Sequence, residues 1–405
     1  MNAGRRFDEL PPLALYVHFP WCVAKCPYCD FNSYTLRDTL PEDRYIATLL
    51  EDLRAQLDSD FGRAAQLAGR NVISVFFGGG TPSLFSPDAI GGFIEQMSRV
   101  LTVAADAEVT LEANPGTIER GRFAGYRAAG VNRISLGAQS FDARKLAALG
   151  RIHSPTETIR AAEELHAAGL SNFNLDLMYG LPEQTAEQAV ADVTAALALQ
   201  PAHLSHYHLT MEPGTPFAAS PPPLPAEDSI DEMLAECQQT LSESGFGQYE
   251  VSAYARAERR CVHNLNYWQF GDYLGVGAGA HGKLTGPGLE IRRTTQWREP
   301  RKYLGAGPSG RTEVQVVASQ RPFEFMLNAL RLVNGFRDQD YEARTGLPIQ
   351  GLVPTLTSLA SRGLLQREDQ GWRCTATGLR FLNDVLLSFL PNDRNYAQAS
   401  STFGK

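Results

Sequence analysis

The chain has 405 residues, more than one average domain, although an α/β barrel can take up about 200–250 residues as a single unit. Apolar residues make up 43% and charged residues 20%, an ordinary balance for a soluble globular protein. The formal net charge of −8 speaks against a broad nucleic-acid surface, which needs clustered Lys and Arg, so no nucleic-acid partner is expected.

No apolar run approaches the ~20 residues that cross a bilayer, and residues 1–10 carry two arginines with no apolar segment behind them. A cytoplasmic protein that is not transmembrane is the default expectation. Six cysteines in so long a chain do not form a disulfide framework. Three of them fall within eight residues, while Cys237, Cys261 and Cys374 stand singly and read as buried small side chains.

Short β-branched or aromatic runs predict strands over 15–19, 72–77, 107–113, 131–136, 173–178 and 203–210. Helical stretches separate most of them. Ile46, Leu49, Leu50, Leu53 and Leu57 recur at the spacing of one helix face, and Pro41 and Glu42 suit its start. Similar patterns cover 87–101, 155–168 and 186–199. Six strands alternating with helices imply parallel βαβ units, either closing toward a barrel or opening as a doubly wound sheet. Both architectures keep their chemistry at the C-terminal ends of the strands.

The segment 220–225 (SPPPLP) reads as a semi-rigid connection, followed by a helix over 229–244 and a strand over 248–254. Residues 271–310 carry many glycines and read as a loop-rich boundary. Beyond it, Phe323, Met326, Leu327 and Leu330 form an amphipathic stripe that stops near Gly335. Further helices are expected over 352–362 and 376–389, with a strand pair near 364–375. This order resembles a small winged-helix-like module. The expected domains are 1–245 as the core, 246–310 as an extension closing the site, and 311–391 as the C-terminal domain. A polar tail over 392–405 is expected to be disordered.

The chemistry gathers after the first strand, in Trp21-Cys22-Val23-Ala24-Lys25-Cys26-Pro27-Tyr28-Cys29-Asp30-Phe31. Three thiolates spaced C-x3-C-x2-C on one loop can hold three corners of an iron–sulfur cubane. The fourth iron is then open to S-adenosylmethionine (SAM), which can chelate it through amino and carboxylate groups. An electron from the cluster cleaves the sulfonium and releases a 5′-deoxyadenosyl radical. Two other readings use the same residues. One is a zinc knuckle completed by a ligand such as His18, for which the usual second hook is missing. The other is a four-cysteine cubane, for which the remaining cysteines are remote in sequence.

The stretch YVHFPWCVAKCPYCDF resembles the cluster loop of the coproporphyrinogen dehydrogenase-like radical SAM proteins. The resemblance runs on through Thr81, Glu112, Gln139, Arg151 and Asp176 into the C-terminal module. It implies an α/β fold, a partial (β/α)6 TIM-like barrel with a small α+β, winged-helix-like C-terminal domain that helps cover the site. It also implies a [4Fe–4S] cluster on Cys22, Cys26 and Cys29, with SAM beside it.

Gly78-Gly79-Gly80-Thr81-Pro82 ends the second predicted strand, where glycines admit a ligand close to the backbone. Alone this is equally a tight turn. With the cysteine loop upstream, Gly80 and Thr81 resemble the segment that binds the amino group of SAM. Glu112 ends the third strand facing the mouth, Gln139 follows the fourth, and Arg151 suits a carboxylate. Asp176 stands inside an apolar run, where an acid needs a partner. Each of these is singly as compatible with a structural hydrogen bond. In order, they resemble the SAM-contacting positions of the family, as do Tyr16 and Tyr28. Gly277-Ala278-Gly279-Ala280-His281-Gly282 fits a dinucleotide fingerprint but is followed by a loop pattern, so that reading is rejected.

The dehydrogenase branch resembles C-x3-C-x2-C-x-C, and here Phe31 stands at the fourth cysteine's place. Its longer N-terminal extension is also missing, since the first strand is reached by Leu13. Both departures resemble the HemW branch of haem chaperones, as does His263-Asn264-Leu265-Asn266-Tyr267-Trp268, an H-N-x-x-Y-W motif. An imidazole can ligate haem iron, and aromatic neighbours can pack on a porphyrin; a buried structural histidine is the competing reading. His206 and His208 share one strand face. The function this implies is haem binding and transfer to acceptor haem proteins, possible respiratory ones included. An electron donor such as a flavodoxin or ferredoxin and a homodimer are implied with it. The alternatives are an oxygen-independent coproporphyrinogen III dehydrogenase and a radical SAM methyltransferase.

Overall fold

The computed structural model describes residues 10–116 and 121–391; the expected tail over 392–405 and residues 1–9 lie outside the described residues. Six parallel strands form the centre: β1 (Leu13–Phe19), β2 (Val72–Gly79), β3 (Val103–Ala113), β4 (Arg133–Gln139), β5 (Phe173–Tyr179) and β6 (His203–His208). They lie side by side in chain order, each parallel to the next. Order without reversal is the winding of a barrel, and a doubly wound sheet would change direction in its middle. The fold is therefore the expected partial barrel.

Alternation along these strands separates two environments. Leu15, Val17, Phe19, Val75, Phe77, Val109, Leu111, Ile134, Leu136, Leu175 and Leu204 belong to the large buried cluster shared with the helices. Helices α1 (Glu42–Leu57), α2 (Pro87–Met97), α3 (Pro155–Ala167) and α4 (Ala186–Ala198) contribute Leu49, Leu53, Phe93, Leu165 and Val193 to it. The intervening residues, among them Tyr16, His18, Ser74, Glu112, Arg133, Ser135, Asn174, Asp176 and His203, share the opposite face. The lumen is thus largely polar because most of the alternate strand residues are polar. The helix starts are equally local in origin: Ser154 and Thr185 each form a complete capping box, with Glu157 and Gln188.

The sheet continues past both ends of the six. Beyond β6 lies a hairpin, β7 (Gly247–Glu250) and β8 (Ala253–Ala255), where one strand over 248–254 is expected; Glu250 accepts the Ser252 amide at 3.0 Å and turns the chain. Beyond β1 lie β9 (Asp272–Val276), β10 (His281–Thr285), β11 (Ile291–Thr295) and β12 (Thr312–Gln315), of which β9 is parallel to β1 and the rest antiparallel. The loop-rich reading of 271–310 is corrected here. Its glycines mark close strand approach: a Cβ on Gly275 would sit 2.0 Å from the His281 carbonyl oxygen. The dinucleotide fingerprint accordingly spans a strand-to-strand turn, with no helix after it.

The C-terminal part has helices over Arg321–Ala329, Asp338–Thr345 and Val353–Ser361. A three-stranded sheet of Phe336–Arg337, Leu365–Glu368 and Gly371–Cys374 completes it. The single helix expected over 376–389 is broken at Phe381 (φ −106°, ψ 35°) into Ala376–Arg380 and Leu382–Leu387. Among the described residues no helix is long and apolar enough to cross a membrane.

Candidate functional site

The cysteine loop leaves β1 and is held by its own backbone and by distant strands. Trp21–Cys22 pairs with Tyr34–Thr35, and Lys25 Nζ donates to the Phe31 and Ser33 carbonyls, both at 3.0 Å. Asn32 Nδ2 donates to the Ala278 and Arg298 carbonyls at 2.9 Å. His18 is tied in on both sides: Nε2 donates to the Asn32 carbonyl at 2.9 Å, so Nδ1 accepts from the Tyr16 hydroxyl at 3.0 Å. Burial lowers its pKa to about 4, leaving a neutral ring with no nitrogen free for a metal. Among the described residues no three His, Cys, Asp or Glu side chains converge on one ion. A zinc knuckle completed by His18 therefore does not fit. Three free cysteines on one loop match the donor set of a cubane with one open corner.

Each thiol has polar company. Cys29 Sγ lies 3.9 Å from Ser33 Oγ, and Arg151 Nη1 donates to Cys26 Sγ at 3.6 Å. Burial raises the pKa of Cys22 and Cys29, opposed at Cys22 by the hydroxyls of Thr81 and Ser33. Ligation requires the thiolates, so cluster assembly must overcome that burial.

The turn after β2 lies against this loop. Gly80 N–H donates to the Phe19 carbonyl at 2.6 Å and Thr81 N–H to the Trp21 carbonyl at 2.7 Å. A Cβ on Gly80 would stand 2.6 Å from the Trp21 oxygen, so only glycine fits. Since both amides are spent, the backbone of this turn offers a ligand carbonyl acceptors, which suit an amino group.

Asn114, the residue after β3, joins two assigned positions. Its Nδ2 donates to Thr81 Oγ1 at 2.9 Å, and its Oδ1 accepts from Arg151 Nη2 at 2.6 Å. Arg151 also donates to the Gly137 carbonyl at 2.9 Å. Gln139 ends β4 in the left-handed region (φ 67°), and its amide lies beside Gly137. Tyr28 is close to both Cys26 and Arg151, and burial raises its pKa.

Deeper in the lumen, Glu112 Oε2 accepts the Gly79 amide at 3.0 Å, and Asp176 accepts from Asn174 Nδ2 at 2.8 Å and Ser135 Oγ at 3.2 Å. Burial, then the neighbouring Asp176, pushes Glu112 up to about 8. Burial also raises Asp176, opposed by its hydrogen bonds and by Arg133.

His263 is placed elsewhere. It opens the short helix Val262–Trp268, with Nδ1 3.0 Å from Ser74 Oγ and its backbone N–H donating to Glu108 Oε1 at 3.2 Å. Its ring lies 5.0 Å from Phe76 and 6.3 Å from Tyr16, and burial lowers its pKa to about 3. It packs at the N-terminal half of β2, under the lumen and away from the cysteine loop. His206 and His208 flank the Tyr179 ring at 4.6 and 5.3 Å, on the sheet face away from the lumen.

Residues 16–195 match the Radical SAM superfamily and residues 318–381 the HemN C-terminal domain. The chain is 47% identical to "Heme chaperone HemW" of Escherichia coli (strain K12), over 94% of this chain and 99% of that one. It is 31% identical to the Bacillus subtilis (strain 168) protein of the same name, over 93% and 98%. To the mouse "Radical S-adenosyl methionine domain-containing protein 1, mitochondrial" it is 37% identical, over 93% and 87%. Among solved structures, coproporphyrinogen III oxidase (HemN) from Escherichia coli superposes with a TM-score of 0.77 at 23% identity, covering 94% of this chain and 90% of that one, a likeness of fold. Sequence identity at these levels along nearly whole chains means that the protein belongs to the HemW family within the Radical SAM superfamily.

Proposed function

We propose that this protein binds haem and passes it to acceptor haem proteins, with a [4Fe–4S] cluster on Cys22, Cys26 and Cys29 and SAM beside it. The observation that carries the reading is the 47% identity to a haem chaperone over 94% of the chain. The side chain at the position of the oxidase's fourth cysteine supports it: Phe31 is 62% exposed and brings no ligand.

Gly80 and Thr81 would take the amino group of SAM and Arg151 its carboxylate. Glu112, Gln139, Asp176, Tyr16 and Tyr28 would line the remainder. The bound cluster would supply the electron for reductive cleavage of the sulfonium. The chain's own residues exclude water, fix Arg151 through Asn114 and Gly137, and hold a proton on Glu112 until a ligand displaces it. A cytoplasmic setting, a flavodoxin- or ferredoxin-like reductant, a homodimer and respiratory acceptors belong to the same proposal. So does a division into core (1–245), closing extension (246–310) and C-terminal domain (311–391). His263 is the proposed haem ligand, and because its ring is packed beneath the lumen, ligation requires the helix Val262–Trp268 to move away from Ser74.

The test is an anaerobic pair of assays on the reconstituted protein. One supplies coproporphyrinogen III, SAM and a reductant; the other titrates haem by absorbance in wild type and His263→Ala. Stoichiometric haem binding without decarboxylation is expected, with an altered haem spectrum in the variant. Turnover to protoporphyrinogen would replace this reading by the dehydrogenase. An unchanged spectrum would remove His263 as ligand.

A further inference from the structure

When Asp176 is ionised, it stands at the end of a hydrogen-bond chain whose directions follow from its charge. Asn174 Nδ2 donates to Asp176 Oδ1 and to Ser135 Oγ, both at 2.8 Å. The reversed amide would set its oxygen against the carboxylate, so Oδ1 faces away and accepts. It accepts from His203 Nδ1 at 2.7 Å and lies 3.1 Å from Ser205 Oγ, a hydroxyl that also hydrogen-bonds with Asp176. Nδ1 therefore carries the ring proton. His203 is fully buried, which holds its pKa well below the usual imidazole range, so Nε2 of the neutral ring is an acceptor. The Tyr249 hydroxyl, 2.8 Å from Nε2, must donate to it, and the Tyr249 oxygen accepts the Cys261 amide at 3.4 Å. Ser135 Oγ, with Asn174 already donating to it, donates to Asp176 Oδ2 at 3.2 Å. Every proton in the chain points toward one carboxylate.

We propose that His203 and Tyr249 are positioning residues for SAM: they fix the Asn174 amide, which holds the Asp176 carboxylate in one orientation with its free lone pairs turned to a donor in the lumen. The inference rests on the reading of Asp176 as a SAM contact. Arg133, Glu112 and Tyr207 are the charged and titratable groups that face Asp176 from the adjoining strands. The outer end of the chain is set by other parts of the molecule. Cys261 Sγ donates to Glu108 at 3.3 Å, two residues ahead of His263, and the Tyr249 carbonyl accepts the Val333 amide of the C-terminal part at 3.1 Å. The lumen carboxylate is thereby registered against the H-N-x-x-Y-W segment and the C-terminal module at once.

The experiment is SAM affinity of the cluster-reconstituted protein, in a wild-type and an Asp176→Asn background. His203→Leu is expected to weaken SAM by about tenfold, the scale of one lost hydrogen bond to a charged network, and Tyr249→Phe by about threefold. His203→Asn, which keeps a donor at the Nδ1 position, should recover most of the loss. In the Asp176→Asn background neither change should weaken SAM further, because the group they position is gone. A merely structural role would weaken SAM equally in both backgrounds, and that result would overturn the proposal. Tyr249→Phe is nearly isosteric and keeps the test open should His203→Leu fail to fold. Full SAM affinity in Asp176→Asn alone would overturn the reading of Asp176 itself. A weakened Asp176→Asn with unaffected His203→Leu and Tyr249→Phe would overturn only the positioning chain.

Discussion

Three carboxylates, Glu108, Glu112 and Asp176, share the lumen with Arg133, which pairs with Glu108 at 3.8 Å. Burial opposes the charge on Glu112 and on Asp176, and Glu112 keeps its proton at neutral pH, its pKa pushed up to about 8. A raised folded-state pKa stabilises the fold fully below the ordinary carboxylate value of about 4.5, and that contribution is lost as pH rises through about 8. A ligand that offers Glu112 a hydroxyl or ammonium donor prefers the ionised form. Below about 8 it must therefore expel the proton, so SAM affinity should rise with pH, by at most about tenfold per unit, and level off near 8. Glu112→Gln should bind more weakly at high pH and lose the slope. Calorimetric titration between neutral and mildly alkaline pH measures both, and a slope that survives in the Gln variant would assign the proton to another group.

At the scale of elements, the join between β2 and the cysteine loop is close-packed. The Gly80 and Thr81 amides are clamped on Phe19 and Trp21, and Gly80 has no room for a Cβ. Gly80→Ala should force the loop off β2, at a cost of about 1–3 kcal/mol for overpacking against backbone. The expected readout is a lowered unfolding midpoint together with less iron and sulfide after reconstitution; a variant that loads iron normally would show that the loop moves freely of β2. What the sequence made legible here was local. Alternation in β1 to β6 gave away both the strands and a polar lumen, and the C-x3-C-x2-C spacing gave away the cluster loop. Long-range facts were not legible. Whether six βαβ units curl or open depends on which strands pair, and no residue pattern encodes that. Asn114 drew no notice because its two partners lie 33 and 37 residues away. The H-N-x-x-Y-W motif was visible as a motif, yet its place under the lumen depends on Glu108, 155 residues before His263. Gly275 and Gly282 read as loop residues although they sit in strands, because crowding between backbones leaves the same glycine signature as a turn.

At the scale of the molecule, the C-terminal part is joined to the barrel by shared packing rather than by a tether. Its buried cluster, with Phe325, Met326, Leu330, Tyr341, Leu356 and Val385, also contains Ile291 of the extended sheet, Phe270 just ahead of β9 and Val316 just after β12. Phe270 and Phe325 meet edge to face at 5.7 Å. Polar contacts reinforce the join: the Val251 amide donates to the Arg331 carbonyl at 3.1 Å, and Arg331 pairs with Glu250 at 3.4 Å. The Arg331 guanidinium also lies 4.5 Å from the Trp268 ring centroid, so the last residue of the H-N-x-x-Y-W motif meets the module while His263 packs on Ser74 beneath the lumen. A core drawn from both parts cannot melt in one without exposing apolar surface in the other. Thermal unfolding should therefore show one cooperative transition by calorimetry, with near-ultraviolet ellipticity and intrinsic fluorescence coinciding. Phe325→Ala should lower that single midpoint, by about 3–5 kcal/mol of stability for a buried aromatic, without splitting it. Two resolved transitions, with only the lower one moved by Phe325→Ala, would instead make the C-terminal part an independent unit, and the contacts at Phe270, Ile291 and Val316 a docking surface rather than a common core.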